Sequence, residues 1–347
     1  MLLPIALFAL AFQTGATAMA APAGTFPDFI PLTGATRGVA LDKVGNVFVS
    51  VSQGSGPSEH ILIWKFTPYG GGPSFVADIG QGTIGGLMVT ANGDLYVALA
   101  AGLDRGVWRV GRDEEIELLP GSNQIFFANG LAFDDRGTLY VTESVSTSMI
   151  TEGKPAGPGS IWRIPKGGEA ELWLRDELLR GTGALGQPVW IGANGIAYYH
   201  GNLYVTNTEK GTVMRIPILK NGSAGAIEGL ATLQEVPESL PPLRTRFPVV
   251  MGDGIALDVH GNLYVAVLTR SAVVRIDAQD LSQETVAAFQ IGPYSVPFAP
   301  LDFSASLFFG TGKGERTSLF VTNLGLGGWA GPGLVKIDAG VPGDPLH

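Results

Sequence analysis

The sequence predicts an all-β protein, a six-bladed β-propeller of four-stranded blades whose ring is closed by strands from both termini. Composition is the first observation, because 347 residues include 50 glycines and 23 prolines and only 15% are charged. Many short strands joined by tight turns have this composition. The second observation is one sequence phrase that recurs along the chain as a repeat. The third is that further segments with the pattern of strands follow each copy.

The recurring phrase is clearest as "GDGIALDVHGNLYVAV", which starts at Gly252. Two apolar runs flank a turn, which is the signal of a β-hairpin. An apolar triplet near the end of each copy starts at residues 47, 95, 139, 203, 263 and 319. The intervals of 48, 44, 64, 60 and 56 residues suit propeller blades with loops of variable length.

A third strand follows each hairpin and carries one basic residue near its centre. These residues are Lys65, Arg109, Arg163, Arg215, Arg275 and Lys336. Since they recur once per repeat, we interpret them as structural. Fourth strands are predicted in "PSFVADI", "IELLP", "AELWLR", "GLATLQEV" and "ETVAAFQI". The sixth repeat lacks one, and "FPDFIPL" from the N-terminal region is predicted to fill its place and to remove an exposed edge.

Residues 1–20 combine an apolar run with the small-x-small pattern of Ala18 to Ala20, which indicates a cleaved secretory signal. We therefore expect residues 21–347 to form one propeller domain in a secreted or periplasmic protein, as a monomer. A net charge of −9 gives no basic field for a nucleic acid or an anionic membrane. The absence of cysteine excludes disulfides and thiolate chemistry. Whether the sequon at Asn221 is glycosylated is left open.

The residue before the glycine of the phrase changes from copy to copy. It is Arg37, Gly85, Asn129, Asn194 and Asp253 in turn. Long links predict that this end of the blades is the functional face, so these positions should surround the mouth of the central channel. Asn129, Asn194 and Asp253 would give an oxygen-only ligand set suited to Ca²⁺. The alternative is that Asn-Gly and Asp-Gly only form turns.

Three segments, "ANGLAF", "ANGIAYYHGNLYVTNT" and "GDGIALDVHGNLYVAV", make the chain resemble the gluconolactonase and regucalcin (senescence marker protein) lactonases over most of its mature length. The resemblance implies a divalent cation on Asn194 and Asp253, with Ca²⁺ expected and Zn²⁺ or Mn²⁺ as alternatives. It implies Asn129 beside a small-molecule substrate, and hydrolysis of a lactone or small ester. Asp253 would be both ligand and catalytic base.

This sequence differs from the pattern of that family at two positions. The resemblance implies a metal-binding Glu in the first blade, where this chain has Arg37, and often an Arg where it has Phe127. Arg37 either pairs with Asp253 and replaces the metal, or binds an anionic group of the substrate.

Three further residues are candidates for the substrate pocket. Glu143 and Asn207 directly follow second strands, where they either line the pocket or cap strand ends. His60 is the one histidine near the functional face, as a base or as a loop residue. Two other functions stay open: a non-catalytic propeller of NHL-type repeats that binds a ligand or partner on the same face, and a metal-free enzyme similar to strictosidine synthase.

Overall fold

The computed structural model describes residues 27–54, 59–68, 71–145, 159–184, 190–234, 250–289 and 298–345. The signal segment lies outside these ranges. Within them the chain forms six four-stranded antiparallel sheets. The predicted six-bladed propeller is therefore confirmed. No helix in these ranges is both long enough and apolar enough to cross a membrane.

Each of the first five blades contains four consecutive strands, numbered in chain order from the innermost outwards. The first blade consists of β2 (Thr36–Leu41), β3 (Val47–Gln53), β4 (His60–Phe66) and β5 (Ser74–Gln81). The second consists of β6 (Thr83–Val89), β7 (Leu95–Ala100), β8 (Gly106–Val110) and β9 (Ile116–Leu118). The third consists of β10 (Ala128–Phe133), β11 (Leu139–Glu143), β12 (Gly159–Ile164) and β13 (Glu171–Asp176).

The fourth blade consists of β14 (Ala193–Tyr199), β15 (Asn202–Asn207), β16 (Thr212–Pro217) and β17 (Glu228–Thr232). The fifth consists of β18 (Gly252–Leu257), β19 (Leu263–Val267), β20 (Ala272–Ile276) and β21 (Gln283–Ala288). Among the described residues, three short 3-10 helices lie in the links, at Ser122–Gln124, Glu177–Leu179 and Leu268–Arg270.

The sixth blade closes the ring with strands from both ends of the chain. It consists of β22 (Ser304–Phe309), β23 (Ser318–Asn323), β24 (Gly333–Asp338) and the N-terminal β1 (Phe29–Pro31). Strand β1 pairs antiparallel with β24, with Ile30 opposite Leu334. The predicted contribution of the "FPDFIPL" segment is confirmed, since β1 covers the edge of β24 and gives the sixth blade its fourth strand.

The basic residue of each third strand lies opposite the aromatic residue of the triplet. In the second blade Arg109 faces Tyr96 and forms an ion pair with Glu117 of the fourth strand at 2.6 Å. The same arrangement recurs in the third blade, where Arg163 faces Tyr140 and pairs with Glu171. These residues therefore join the second, third and fourth strands of a blade, as the periodicity predicts.

Apolar clusters lie between neighbouring blades rather than within one blade. One cluster joins Ile61 and Ile63 of the first blade to Val97 of the second. Another joins Val49 of the first blade to Phe320 of the sixth, so the seam that closes the ring is packed like the others. Burial between blades makes the arrangement of the inner strands rigid, and that arrangement positions the site.

Candidate functional site

All six innermost strands contain a β-bulge at the same register position. In the fifth blade, for example, Gly252 pairs with Val267 and Ile255 with Val265, so the register shifts across Asp253. A bulge changes the direction of the side chain it contains. We call the residues at this position the ring residues. They are Arg37, Gly85, Asn129, Asn194, Asp253 and Ala305.

Ala305 is the ring residue that sequence reasoning missed. The hairpin of the sixth blade is longer than the others, so the triplet starts at Leu319 rather than ten positions after the ring residue. Only the pairing of Leu307 with Val321, which matches Ile255 with Val265, reveals the equivalence.

The glycine after each of the first five ring residues is required by close approach of backbones. A Cβ atom at this glycine would meet the carbonyl oxygen of the ring residue in the next blade at 3.0 Å or less. The pairs are Gly38 with Gly85, Gly86 with Asn129, Gly130 with Asn194, Gly195 with Asp253, and Gly254 with Ala305. The invariant glycine of the phrase is thus explained by packing between blades.

Threonine hydroxyls fix the backbone of three ring residues. Thr142 donates a hydrogen bond to the carbonyl oxygen of Asn194 at 2.5 Å, and Thr206 donates to that of Asp253 at 2.6 Å. Thr322 donates to the carbonyl oxygen of Arg37 at 2.5 Å. Each threonine lies in the second strand of the preceding blade, so neighbouring blades are hydrogen-bonded at the ring itself.

The orientations of the Asn129 and Asn194 amides follow from their hydroxyl partners. The Ser144 hydroxyl donates to the Ala193 carbonyl, so it must accept from Nδ2 of Asn129, which lies 2.9 Å away. Likewise Thr208 donates to the Gly252 carbonyl and accepts from Nδ2 of Asn194 at 2.8 Å. Oδ1 of Asn194 consequently accepts from Nδ2 of Asn129 at 2.6 Å.

Arg37 and Asp253 form an ion pair at the ring. Nη2 of Arg37 lies 3.5 Å from Oδ2 of Asp253, and their side chains are only 10% and 5% exposed. Asn194 lies beside the same carboxylate and lowers its pKa. The side chains of Asn129, Asn194, Asp253 and Arg37 thus lie next to one another at the ring. Nε of Arg37 is buried and has no hydrogen-bond partner.

Burial raises the pKa of the Asp253 carboxyl above its ordinary value, because desolvation penalises the charged form. The Arg37 charge and the hydrogen bonds from Asn194 and Arg37 act in the opposite direction but do not cancel this effect. A carboxyl group with this environment stays available as a proton acceptor closer to neutral pH than an exposed one.

Glu143 and Asn207 occupy the same register position at the ends of second strands. Both form hydrogen bonds with segments outside their own strand. The Glu143 carboxylate accepts from the Phe126 backbone at 3.1 Å, from Ser160 at 2.5 Å and from the Trp162 indole at 3.1 Å. Asn207 donates to the carbonyl oxygens of Leu178 and Arg180. Their placement matches the strand-capping alternative.

Two buried carboxylates on the same face were not singled out in the sequence. Glu209 accepts from the backbone of Thr182, Gly183 and Ile191. Asp302 accepts from five consecutive backbone N–H groups, those of residues 327–331. Neither has a repeat counterpart, so periodicity gave no signal for them.

The loop bound by Asp302 carries Trp329, which donates its indole N–H to Leu301. Its ring lies 5.7 Å from that of Phe289 and 6.0 Å from that of Phe303. Phe298 packs against Phe289 with the two aromatic rings tilted by 53°, and it is 63% exposed. An aromatic surface therefore lies on the links of the fifth and sixth blades.

His60 begins β4, the third strand of its blade, and so lies two strands away from the innermost strand that carries the ring residue. Its Nδ1 is 3.0 Å from Oδ2 of Asp78, and both side chains are about two-fifths exposed. Within the described residues, His60 forms no hydrogen bond or ion pair with a ring residue; its partner is Asp78.

Gly85 leaves its blade without a side chain at the ring. A Cβ there would meet the carbonyl oxygens of Ala98 and Ala128 at 2.7 and 2.9 Å, so the backbone excludes any other residue. Below the ring lies a cavity of about 140 Å³ in the central channel. Its lining includes the glycines that follow four of the ring residues, Gly86, Gly130, Gly195 and Gly254, together with Ser306 and Asp344.

The ring residues do not fit a divalent cation. The carboxylate of Asp253 is paired with a guanidinium, and Oδ1 of Asn194 is used by Asn129. Across the described ranges, no three acidic, histidine or cysteine side chains are grouped so that they could hold a metal. Ca²⁺ at this position remains a prediction from the resemblance, and we assign no chemical step to it.

Solved structures share this architecture. Luciferin-regenerating enzyme superposes with a TM-score of 0.64 at 17% identity, covering 91% of this chain and 95% of that one. Regucalcin from Agrobacterium tumefaciens, described as a calcium-binding protein, gives 0.60 at 15% identity, covering 92% and 95%. A gluconolactonase from Xanthomonas campestris gives 0.58 at 17% identity, covering 90% and 86%.

The chain has the fold of the gluconolactonase and regucalcin propellers. The resemblance inferred from the three sequence segments is confirmed at this level. No protein-family model matches the sequence, and no curated protein matches it. Activity and ligands are therefore argued from the ring residues themselves.

Proposed function

We propose that this protein hydrolyses a lactone or small ester at the mouth of its central channel, with Asp253 as the general base. The observation that carries the proposal is the buried Asp253 carboxylate at the ring, held by Arg37 and Asn194. A carboxylate whose pKa is raised by burial, in contact with a permanent cation, is suited to proton transfer near neutral pH.

In the proposed reaction Asp253 takes a proton from a water molecule whose oxygen attacks the carbonyl carbon. A new C–O bond forms, the C–O bond of the lactone or ester breaks, and the proton passes from Asp253 to the departing oxygen. The product is a hydroxy acid, or an acid and an alcohol. The Arg37 guanidinium stabilises the negative charge that develops on the carbonyl oxygen.

The fold relatives support the choice of a lactone or ester. One of them is described as a gluconolactonase. The acidic net charge also favours a small molecule over a nucleic acid as the partner. We further propose that the protein acts outside the cytosol, on the pattern of residues 1–20.

The test is a panel of five- and six-membered lactones and short esters, with acid release followed in weakly buffered solution. We expect Asp253→Asn to reduce kcat at least about 100-fold, the scale of a lost general base. Asp280→Asn, at an exposed carboxylate, is the matched control and should leave the rate unchanged. Turnover that survives Asp253→Asn would remove Asp253 from the mechanism, and a panel with no hydrolysis at all would reject the proposal.

A non-catalytic binding function is the second candidate, favoured by one observation. Both amide protons of Asn129 and one of Asn194 are used in hydrogen bonds within the protein, so these side chains are structurally committed. If the panel shows no turnover but a lactone or its hydroxy acid raises the melting temperature, and Arg37→Gln removes that shift, the ring is a binding site.

A further inference from the structure

We infer that the Arg37 guanidinium is a built-in cation that takes the place of a divalent ion at the ring, so that the site works without a metal. The inference concerns which ions the ring residues bind, and it holds whether or not the site hydrolyses a lactone or ester. It assigns Arg37 as the residue that determines the metal specificity of this position.

Charge at the ring is the first argument. Among the six ring residues Asp253 is the single anion and Arg37 the single cation. A guanidinium is charged at every accessible pH, so the Asp253 carboxylate has a permanent partner. A divalent ion would bring two further positive charges into a buried position that is already neutral, and Ca²⁺ affinity depends on the number of anionic ligands.

The path of the side chain is the second argument. Arg37 and Asp253 belong to the first and fifth blades, and the sixth blade lies between them in the ring. That blade contributes Ala305, whose methyl side chain leaves the guanidinium a route to Asp253. The Arg37 backbone is held at the seam by Thr322. A larger residue at position 305 would stand in this route.

The amide orientations are the third argument. The hydroxyl groups of Ser144 and Thr208 direct the Nδ2 atoms of Asn129 and Asn194, so Oδ1 of Asn194 accepts from Asn129. A cation at the ring would have to compete for this oxygen. The Asp253 carboxylate, which is paired with Arg37, and Oδ1 of Asn129 are the remaining ring oxygens from side chains, so water would have to supply most of the 6–8 oxygens of a hard cation.

The experiment is calorimetric titration of chelator-treated protein with Ca²⁺, Zn²⁺ and Mn²⁺ separately. The proteins are the wild type, Arg37→Gln, Arg37→Glu and the double variant Arg37→Glu with Asp253→Asn. We expect no saturable binding by the wild type. Arg37→Glu supplies a second carboxylate and removes the competing charge, so it should bind at least one of the ions with a 1:1 stoichiometry, and the double variant should lose that binding.

Arg37→Gln separates the two effects, because it removes the cation without adding a ligand. Arg37→Gln should bind the same ion with an affinity at least about tenfold lower than that of Arg37→Glu. Stoichiometric binding by the wild type that disappears with Asp253→Asn would overturn the inference. So would a folded Arg37→Glu, judged by circular dichroism, that gains no binding.

If Arg37→Glu fails to fold, Ala305→Leu provides the second variant, since it blocks the route of Arg37 without changing charge. We expect it to separate Arg37 from Asp253 and lower the melting temperature, with no effect of chelator on either protein. A wild-type melting temperature that falls on chelation and recovers with one of the three ions would contradict the inference. These readouts need no substrate, so they are independent of the lactone panel.

Discussion

The guanidinium of Arg37 contacts the carboxylate of Asp253 at 3.5 Å although their blades are not neighbours in the ring. The contact crosses the sixth blade over Ala305 and joins residues 216 positions apart in the sequence. It couples the first and fifth blades across the innermost strand of the sixth blade, whose outer strands β24 and β1 close the ring. The site therefore spans the blade through which the ring is closed.

The pH dependence of hydrolysis should report the pKa of Asp253. Because burial raises this pKa, kcat/KM should rise with pH above the range in which ordinary aspartates ionise. Arg37 lowers the pKa, so Arg37→Gln should move the acidic limb to still higher pH. The measurement is a pH profile of kcat/KM for both proteins on the best substrate of the panel. An acidic limb near pH 4, or one that Arg37→Gln leaves in place, would contradict the assignment.

Thr322→Val should weaken the seam between the last and first blades. The Arg37 carbonyl would lose its hydroxyl donor, which costs about 2 kcal/mol in the free energy of unfolding for a buried acceptor. Urea denaturation measures the change. Thr285→Val, at a half-buried threonine in the middle of β21, is the control and should stay near the wild type. Equal losses in the two variants would mean that the hydroxyl contact adds nothing specific.

Gly195→Ala should destabilise the protein by about 3 kcal/mol, the upper end of the range for overpacking, because its Cβ would meet the Asp253 carbonyl oxygen. Since that oxygen belongs to the backbone, it has no rotamer by which to move away. Gly229→Ala lies in strand β17 with nothing within 4 Å of the added atom, so it is the matched control. It should change stability by less than about 0.5 kcal/mol.

Asp302→Ala should release the loop that carries Trp329. Five backbone N–H groups would lose their acceptor, and we expect a loss of about 3 kcal/mol or more in stability. Faster hydrogen exchange at residues 327–331 and a red-shifted tryptophan emission would follow. Asp280→Ala is the control at an exposed carboxylate. Unchanged exchange in this loop would show that other contacts hold it.

The repeat made the blades predictable, because each copy specifies the same hairpin and the same pairing of a basic with an aromatic residue. The register also placed Arg37, Asn129, Asn194 and Asp253 together. Ala305 escaped because the hairpin of its blade is longer. A residue count that assumes a constant register along the repeats cannot detect that the turn of one hairpin is longer than the others.

The finer properties of the site depend on partners that no local pattern specifies. The direction of the Asn129 amide follows from Ser144, whose own direction follows from the Ala193 carbonyl of the next blade. For Glu143 the pocket and capping alternatives were equally consistent with its position after a strand. The contacts with Phe126, Ser160 and Trp162 come from separate segments of the chain.

Strand β1 pairs with β24, so the ring contains a junction between residues about 300 positions apart. During synthesis the first five blades can each form from strands that are consecutive in the chain, whereas the sixth has to wait until residue 338 has left the ribosome. Until then β1 has no partner and the contact between Arg37 and Asp253 has no closed ring around it. The closed ring around this contact can therefore form only after β24 has been made, although Arg37 and Asp253 themselves are made earlier.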